Sequence, residues 1–584
     1  MKQKLSSMAS RILCLSALFI AQSSLFIGET QAQDISSIAK SDPLIITGAI
    51  GTNNTYYSSS SGTGYTSPLS NMLFMNLNIN VYGFSMPFSF YYSNDNVSFN
   101  YPHLSFNLNP HYKNWTGYLG LSSMSYSQYV MSMSFNGVGV EYSGQKLRFG
   151  AWYGQLRNAV NDNPEDPAAR SPQYKRMGWG AKLGYGSSSN YLDFYFLRAY
   201  DCLSTLDERW QERLAPQENL VVGVKGQVQP FKFFSLSVNA AGSLFSTDSR
   251  AEMVPDSLFD NKWNKLFDVR YTSMARFAGD VNASFFFKKV TAQAFYRMVQ
   301  PDYTSLGAYY ISNNYQGYGL NLATTFIPKV TLSGNFSLQS DNLSKKQLYT
   351  TKGMIYSANA STRLGNHVSI SAGYNGYTQV QSDGVVHVND TTKVDRRMQS
   401  LTLTPSAYFE GETLSHSISL SGSITDNKDR NKFATGQSDV TSMAVGLAYS
   451  LGVKPWEIDF TVSLNHQESK GYQSEYITNI ASFTTGRSFL KDKNLNVSAT
   501  LNVIYNEVKQ MSKSMSLGAD FALGYTLAKA HVFSLQAGIN KYGDVNITKR
   551  RSGLDTTDIT ASLNYIYTFS LLEIKRKADK NTEH

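Results

Sequence analysis

Few residues of this chain have the types and spacing that chemistry asks for. The eight histidines are scattered, and none is spaced to share a metal ion. No phosphate-cradling loop or nucleophile elbow occurs in a strand–turn–helix setting. Residues 162–166 (DNPED) are acidic but lack the ordered ligand spacing of a calcium loop, so they read as a solvated loop. An enzyme would need an acid–base or Ser–His constellation, and none is legible; no enzyme and no cofactor is expected. Thr205 and Glu208 in TLDERWQERL make a capping-box pattern, which predicts a short helix packed over a rim.

Charges set within alternating segments say more. Around a tight turn at 143–146, Val138, Val140 and Tyr142 share one face with Leu147 and Phe149. Glu141 and Arg148 then share the other face and are expected to stand opposite each other as an ion pair. The same parity puts Lys225, Asp280, Arg297, Arg363, Asp459 and Asp520 on that face. Its remaining positions are mostly Ser, Thr, Asn, Gln or Gly. Inside a barrel, such charges tune a pore's selectivity, brace the wall against a plug, or simply meet lumen water.

The elements that must hold these residues are strands. Val330, Leu332, Gly334, Phe336 and Leu338 interleave with Thr331, Ser333, Asn335, Ser337 and Gln339. The period of two returns in 234–240, 456–464 and 495–503, as strands with two different faces require. A soluble sandwich shows the same pattern, but here the connections alternate short and long. Tight turns at 82–83, 288–289, 327–329, 364–367 and 527–530 alternate with polar stretches at 161–173, 201–217, 248–270, 381–395 and 546–558. That asymmetry is expected of outer-membrane barrels. The joints predict an all-β, transmembrane, antiparallel up-and-down β-barrel of about 26 strands (range 22–26), each needing roughly 9–11 residues to span.

Composition agrees. Tyr (38), Phe (33) and Gly (42) are abundant and charged residues make up only 16%. A net charge of +9 comes with no recognisable nucleic-acid-binding module, so no nucleic-acid partner is expected. Lys2, Lys4 and Arg11 precede an apolar run, and Thr30-Gln31-Ala32 offers small residues before Gln33, the pattern of a cleaved signal peptide. Its removal takes Cys14 and leaves Cys202, so there is no disulfide framework and no Cys-based metal site.

The expected organisation is a signal peptide at 1–32, N-terminal strands at 33–160, the barrel at 161–571 and a polar periplasmic tail at 572–584. Pro87, Pro102 and Pro110 interrupt the N-terminal stretch, which either supplies the first strands or folds partly inside as a plug. Both termini fall on the short-turn side, hence in the periplasm, with the long loops at the cell surface. The last strand ends in Tyr565, Tyr567 and Phe569, in keeping with an aromatic girdle.

Four segments, PFSFYYSN (87–94), GVGVEY (137–142), RFGAWYGQL (148–156) and ENLVVGV (218–224), resemble an uncharacterised outer-membrane β-barrel family of Bacteroidota. The likeness covers mainly the first 230 residues and implies compartment and phylum rather than activity. Asp256-Ser257-Leu258, Asp390-Thr391-Thr392 and Asp555-Thr556-Thr557 resemble the O-glycosylation acceptor pattern used by Bacteroidota, with Ser257, Thr391 and Thr556 as acceptors in external loops.

The function expected from these readings is a channel or transport component with a polar lumen. An open hole of that width would breach the permeability barrier, so residues 45–160, infolded loops or a partner should occlude it. The alternative is a scaffold or accessory subunit in a secretion or barrel-assembly complex. Expected partners are outer-membrane lipid, the barrel-assembly machinery during biogenesis, and a plug or protein partner.

Overall fold

Each alternating run becomes a strand, and each strand pairs antiparallel with its sequence neighbour. The computed structural model describes residues 44–61, 68–94, 104–161, 171–255, 267–490, 492–544 and 556–574. The signal peptide, the acidic loop 162–166, Pro102, Ser257 and the tail from 575 onward lie outside the described residues.

The first strand, Leu44–Ser59, pairs along its length with the last, Thr556–Ile574, and so closes the sheet on itself. Leu104–Leu108 and His111–Tyr112 both pair with Phe84–Ser93 on one side and Trp115–Ser122 on the other. They are two pieces of one strand broken at Asn109-Pro110, where proline cannot donate to the ladder. The wall is therefore a closed antiparallel barrel of 26 strands. Closure leaves no edge, the condition for a sheet to cross a bilayer. Pro87, expected to interrupt a ladder, is carried within Phe84–Ser93 opposite Asn78.

One side of every strand turns an apolar face outward. Phe194, Val222, Tyr318, Phe336, Leu403 and Leu501 are all at least half or nearly half exposed there. In a bilayer that surface meets acyl chains rather than water. Aromatic rings gather at the short-turn end: Phe231 stacks on Phe233 at 5.3 Å, and Phe533 lies 4.8 Å from Tyr565.

Three further expectations need correction. The turn after Phe135–Ser143 pairs Ser143 with Arg148, so Glu141 faces Gly150 and the expected Glu141–Arg148 pair does not form. The helix at Glu208–Arg213 exists, but its N-cap is Asp207; the Thr205 hydroxyl instead donates to the Cys202 carbonyl at 2.6 Å. Thr556, expected in a loop, opens the final strand and pairs with Tyr542, whereas Thr391 does lie in the exposed turn between Val368–Asp383 and Asp395–Glu410.

Candidate functional site in the barrel interior

The strands that flank two of the connections are short. Trp115–Ser122, Phe135–Ser143, Val290–Val299 and Tyr315–Thr324 have 8, 9, 10 and 10 residues, against 16 in Tyr349–Leu364 or Asp395–Glu410. The chain between the first two (123–134) and between the last two (300–314) does not rise as an external loop. Both segments turn down into the bore and pack on its inner face.

There they bind each other. The Ser132 and Met133 amides both donate to the Gly307 carbonyl at 3.0 Å, the Tyr303 hydroxyl donates to the Tyr129 carbonyl at 2.8 Å, and the Ser305 hydroxyl donates to the Val130 carbonyl at 2.5 Å. These bonds satisfy backbone groups that burial would otherwise strand. The segments also bind the wall: Asn219 accepts from the Leu306 amide at 3.0 Å, and Arg276 donates to the Pro301 carbonyl at 2.8 Å. Around them a dry core forms from Val130, Phe135, Trp152, Leu197, Val221, Val299, Tyr303 and Leu306. Close approach depends on two glycines. A Cβ on Gly223 would come within 2.4 Å of the Val130 side chain, and one on Gly307 within 2.5 Å of Leu197.

The charges predicted for the lumen divide between this packed sector and the rest. Glu141 accepts from Lys182 at 2.5 Å and from the Tyr118 hydroxyl at 2.7 Å, and Lys182 also reaches the Ser125 carbonyl of the infolded segment at 3.3 Å. Arg148 pairs instead with Asp193 at 2.7 Å, and Lys225 stands opposite Asp193 in the ladder. Asp280 stands opposite Arg297 and accepts from the Tyr129 hydroxyl at 2.7 Å and the Gln128 amide at 3.2 Å. Arg363, Asp459 and Asp520 are apart from these, exposed on the inner face of the opposite sector. Asp520 accepts a 3.3 Å bond from Asn502.

Sequence reasoning missed the partners Lys182, Asp193, Arg157, Arg176 and Asp201. Arg176 donates to Asp201 at 2.7 Å and Arg157 at 3.3 Å, at the rim where the long loops begin. Lys182 shares the parity of Gly178, Gly180 and Gly184, so alternation alone would have placed it inward.

Beyond the packed sector the inner face is bare. Asn359, Asn375, Asn465 and Gln467 point inward by register and are exposed. Inward residues under the segments, such as Leu197, Ala199, Val221 and Ala278, are 0% exposed. Where the two sectors meet, Asn313 of the second segment borders a cleft of about 820 Å³ that includes Arg297, Gln339 and Tyr377.

No family model and no curated protein matches the sequence. Solved structures do show similarity. OccAB3 of Acinetobacter baumannii is 13% identical, with 68% of this chain and 99% of that one covered at a TM-score of 0.29. The outer membrane protein OpdK from Pseudomonas aeruginosa is 12% identical, with 61% and 94% covered at a TM-score of 0.30. The P pilus usher (PapC) translocation pore is 9% identical, with 90% and 100% covered at a TM-score of 0.36. What this bore does must follow from its own lining. Among the described residues, no group of three His, Cys, Asp or Glu side chains could hold a metal ion. Cys202 is a free, half-buried thiol at the rim.

Proposed function

We propose that the protein is an outer-membrane channel, narrowed on one side by its own infolded segments and water-filled on the other. The observation that carries this is the contrast in exposure between inward-facing Asn465 and Gln467 and inward-facing Leu197 and Val221. Polar side chains standing free on the inner face of a closed wall describe an aqueous path. The infolded segments answer the problem of bore width, because a barrel of this strand number is too wide to leave open. By the asymmetry of its connections, the short turns and both ends of the described chain face the periplasm and the long loops face outside. The paired charges of the packed sector brace the segments, while Arg363, Asp459 and Asp520 meet the permeating solution.

Purified protein in a planar bilayer should give discrete conductance steps. Replacing residues 301–313 by a short Gly-Ser linker should enlarge each step, because the second segment then no longer fills its side of the bore. A silent wild-type barrel that leaves its native membrane in fixed ratio with other proteins would overturn the channel and favour a scaffold.

A further inference from the structure

Resting on the channel reading, we infer that the cleft beside Asn313 is a binding subsite for neutral, polyhydroxylated solutes, namely oligosaccharides. The cleft measures about 820 Å³, inside the roughly 300–1,000 Å³ range of small-molecule sites. Amides are the commonest side chains in its lining, including Gln293, Asn321, Gln339 and Gln379, with the rings of Phe295 and Tyr377 among them. A carboxamide donates and accepts at once, as does a sugar hydroxyl, so each amide matches hydroxyls in either role. Aromatic rings offer flat apolar faces on which the C–H side of a sugar ring packs.

Two details sharpen the choice of ligand. Among the described residues, the side-chain amides of Gln339 and Gln379 make no hydrogen bond to protein, so their donors and acceptors are open to a solute. The two carboxylates in the cleft, by contrast, already accept hydrogen bonds. Asp280 accepts from Tyr129 and Gln128, and Asp341 accepts from the Thr351 amide at 2.6 Å, while Arg297 stands opposite Asp280 in the ladder with its side chain exposed. The cleft sets two carboxylates against one guanidinium, so it offers an ionic solute little net charge in exchange for the hydration it would give up.

The amide lining continues along the wall into a second cavity of about 320 Å³ that shares Gln293 and Asn321. There Asn335 donates to Asn321 at 2.5 Å, and Asn321 donates to Gln293 at 3.1 Å. These residues sit on three adjacent strands, which places neighbouring amides at the inter-strand spacing of about 4.8 Å. A chain of sugar rings would thus meet a chain of amides.

The test is calorimetric titration of the full-length barrel in detergent with maltohexaose, and separately with tri-alanine and glucose 6-phosphate. Maltohexaose should bind, and Gln339→Ala combined with Gln379→Ala should weaken it about tenfold, the loss expected from two hydrogen bonds. Unchanged heat-modifiable migration of the double variant would show that it is folded. Absent binding of maltohexaose to the wild type, equal binding by the folded variant, or tighter binding of either charged probe would overturn the proposal. Titration needs no current. A barrel that conducts yet ignores maltohexaose sinks this subsite alone, and one that binds it yet never conducts sinks the channel alone.

Discussion

The wall beneath the two infolded segments and the wall from 349 around to 93 are made by the same alternation, yet their inner faces differ. In the first, inward Leu197, Val221 and Val299 are fully buried under the infolded segments. In the second, inward Asn359, Asn375 and Asn465 stand exposed. The difference teaches that one barrel can be a packed protein core on one side and a solvated surface on the other. The two sides should then obey different energetic rules. Substitutions in the packed sector should cost what core substitutions cost, and those in the open sector should cost little.

The largest expected effect lies at the rim of the packed sector. Asp201 is 2% exposed and Arg176 8%, and Asp201 also accepts the Gln217 amide at 3.1 Å. Asp201→Ala leaves a buried guanidinium without its partner, which should cost about 3–5 kcal/mol. Asp520→Ala on the open wall should stay within about 0.5 kcal/mol of wild type. Urea unfolding in detergent, followed by tryptophan fluorescence, checks both. Equal losses would erase the distinction between the sectors.

A subtler pair uses glycine. Gly223→Ala drives a methyl to within 2.4 Å of Val130, an overpacking expected to cost about 1–3 kcal/mol. Gly524, inward in the open sector between Asn496 and Ser534, has nothing within 4 Å of an added Cβ. Gly524→Ala should be neutral or gain about 0.4–1 kcal/mol from a less flexible unfolded chain. The same unfolding assay reads the two variants, and a destabilised Gly524→Ala would mean that its sector is not open.

Much of this architecture was legible because period two is a strong signal and a barrel repeats it in every strand. The inward parity of Glu141, Arg148, Asp280 and Arg297 needed nothing more. Their partners needed register, and register depends on turn length: a hairpin closing at Ser143 and Arg148 sets Glu141 against Gly150 and so toward Lys182. The infolded segments were hidden for a different reason. Residues 123–134 read SMSYSQYVMSMS, alternating as a strand does, and only the missing ladder partners reveal that they left the wall. One clue was present in Tyr191–Asp201, whose sequence YLDFYFLRAYD is apolar on both faces. A strand covered by lipid outside and protein inside must lose its alternation. The clean alternation of 495–503 marks the opposite case, a wall wet on one side.

The smallest effect tests whether the long loop beside the packed sector is held by charge. Asp248 pairs with Arg250 at 2.9 Å, and Arg250 also donates to the Gln211 carbonyl of the helix Glu208–Arg213, tying loop to helix. The hydrogen bond from Arg250 is the main cause holding the Asp248 carboxyl below its ordinary value, against a smaller opposing effect of partial burial. A depressed folded-state value means that the stabilisation is present above the unfolded-state value, about pH 3.9. It is lost as pH falls through the lower folded-state value. For a pair this accessible the contribution is about 0.2–1 kcal/mol. Amide exchange in residues 247–255, corrected for its intrinsic pH dependence, should therefore quicken at the acid end of the range. Asp248→Asn should show the faster exchange already at neutral pH and little further change on acidification. Acid sensitivity that survived in Asp248→Asn would place the loop's anchor elsewhere, and charge would then hold the packed sector only within the bore.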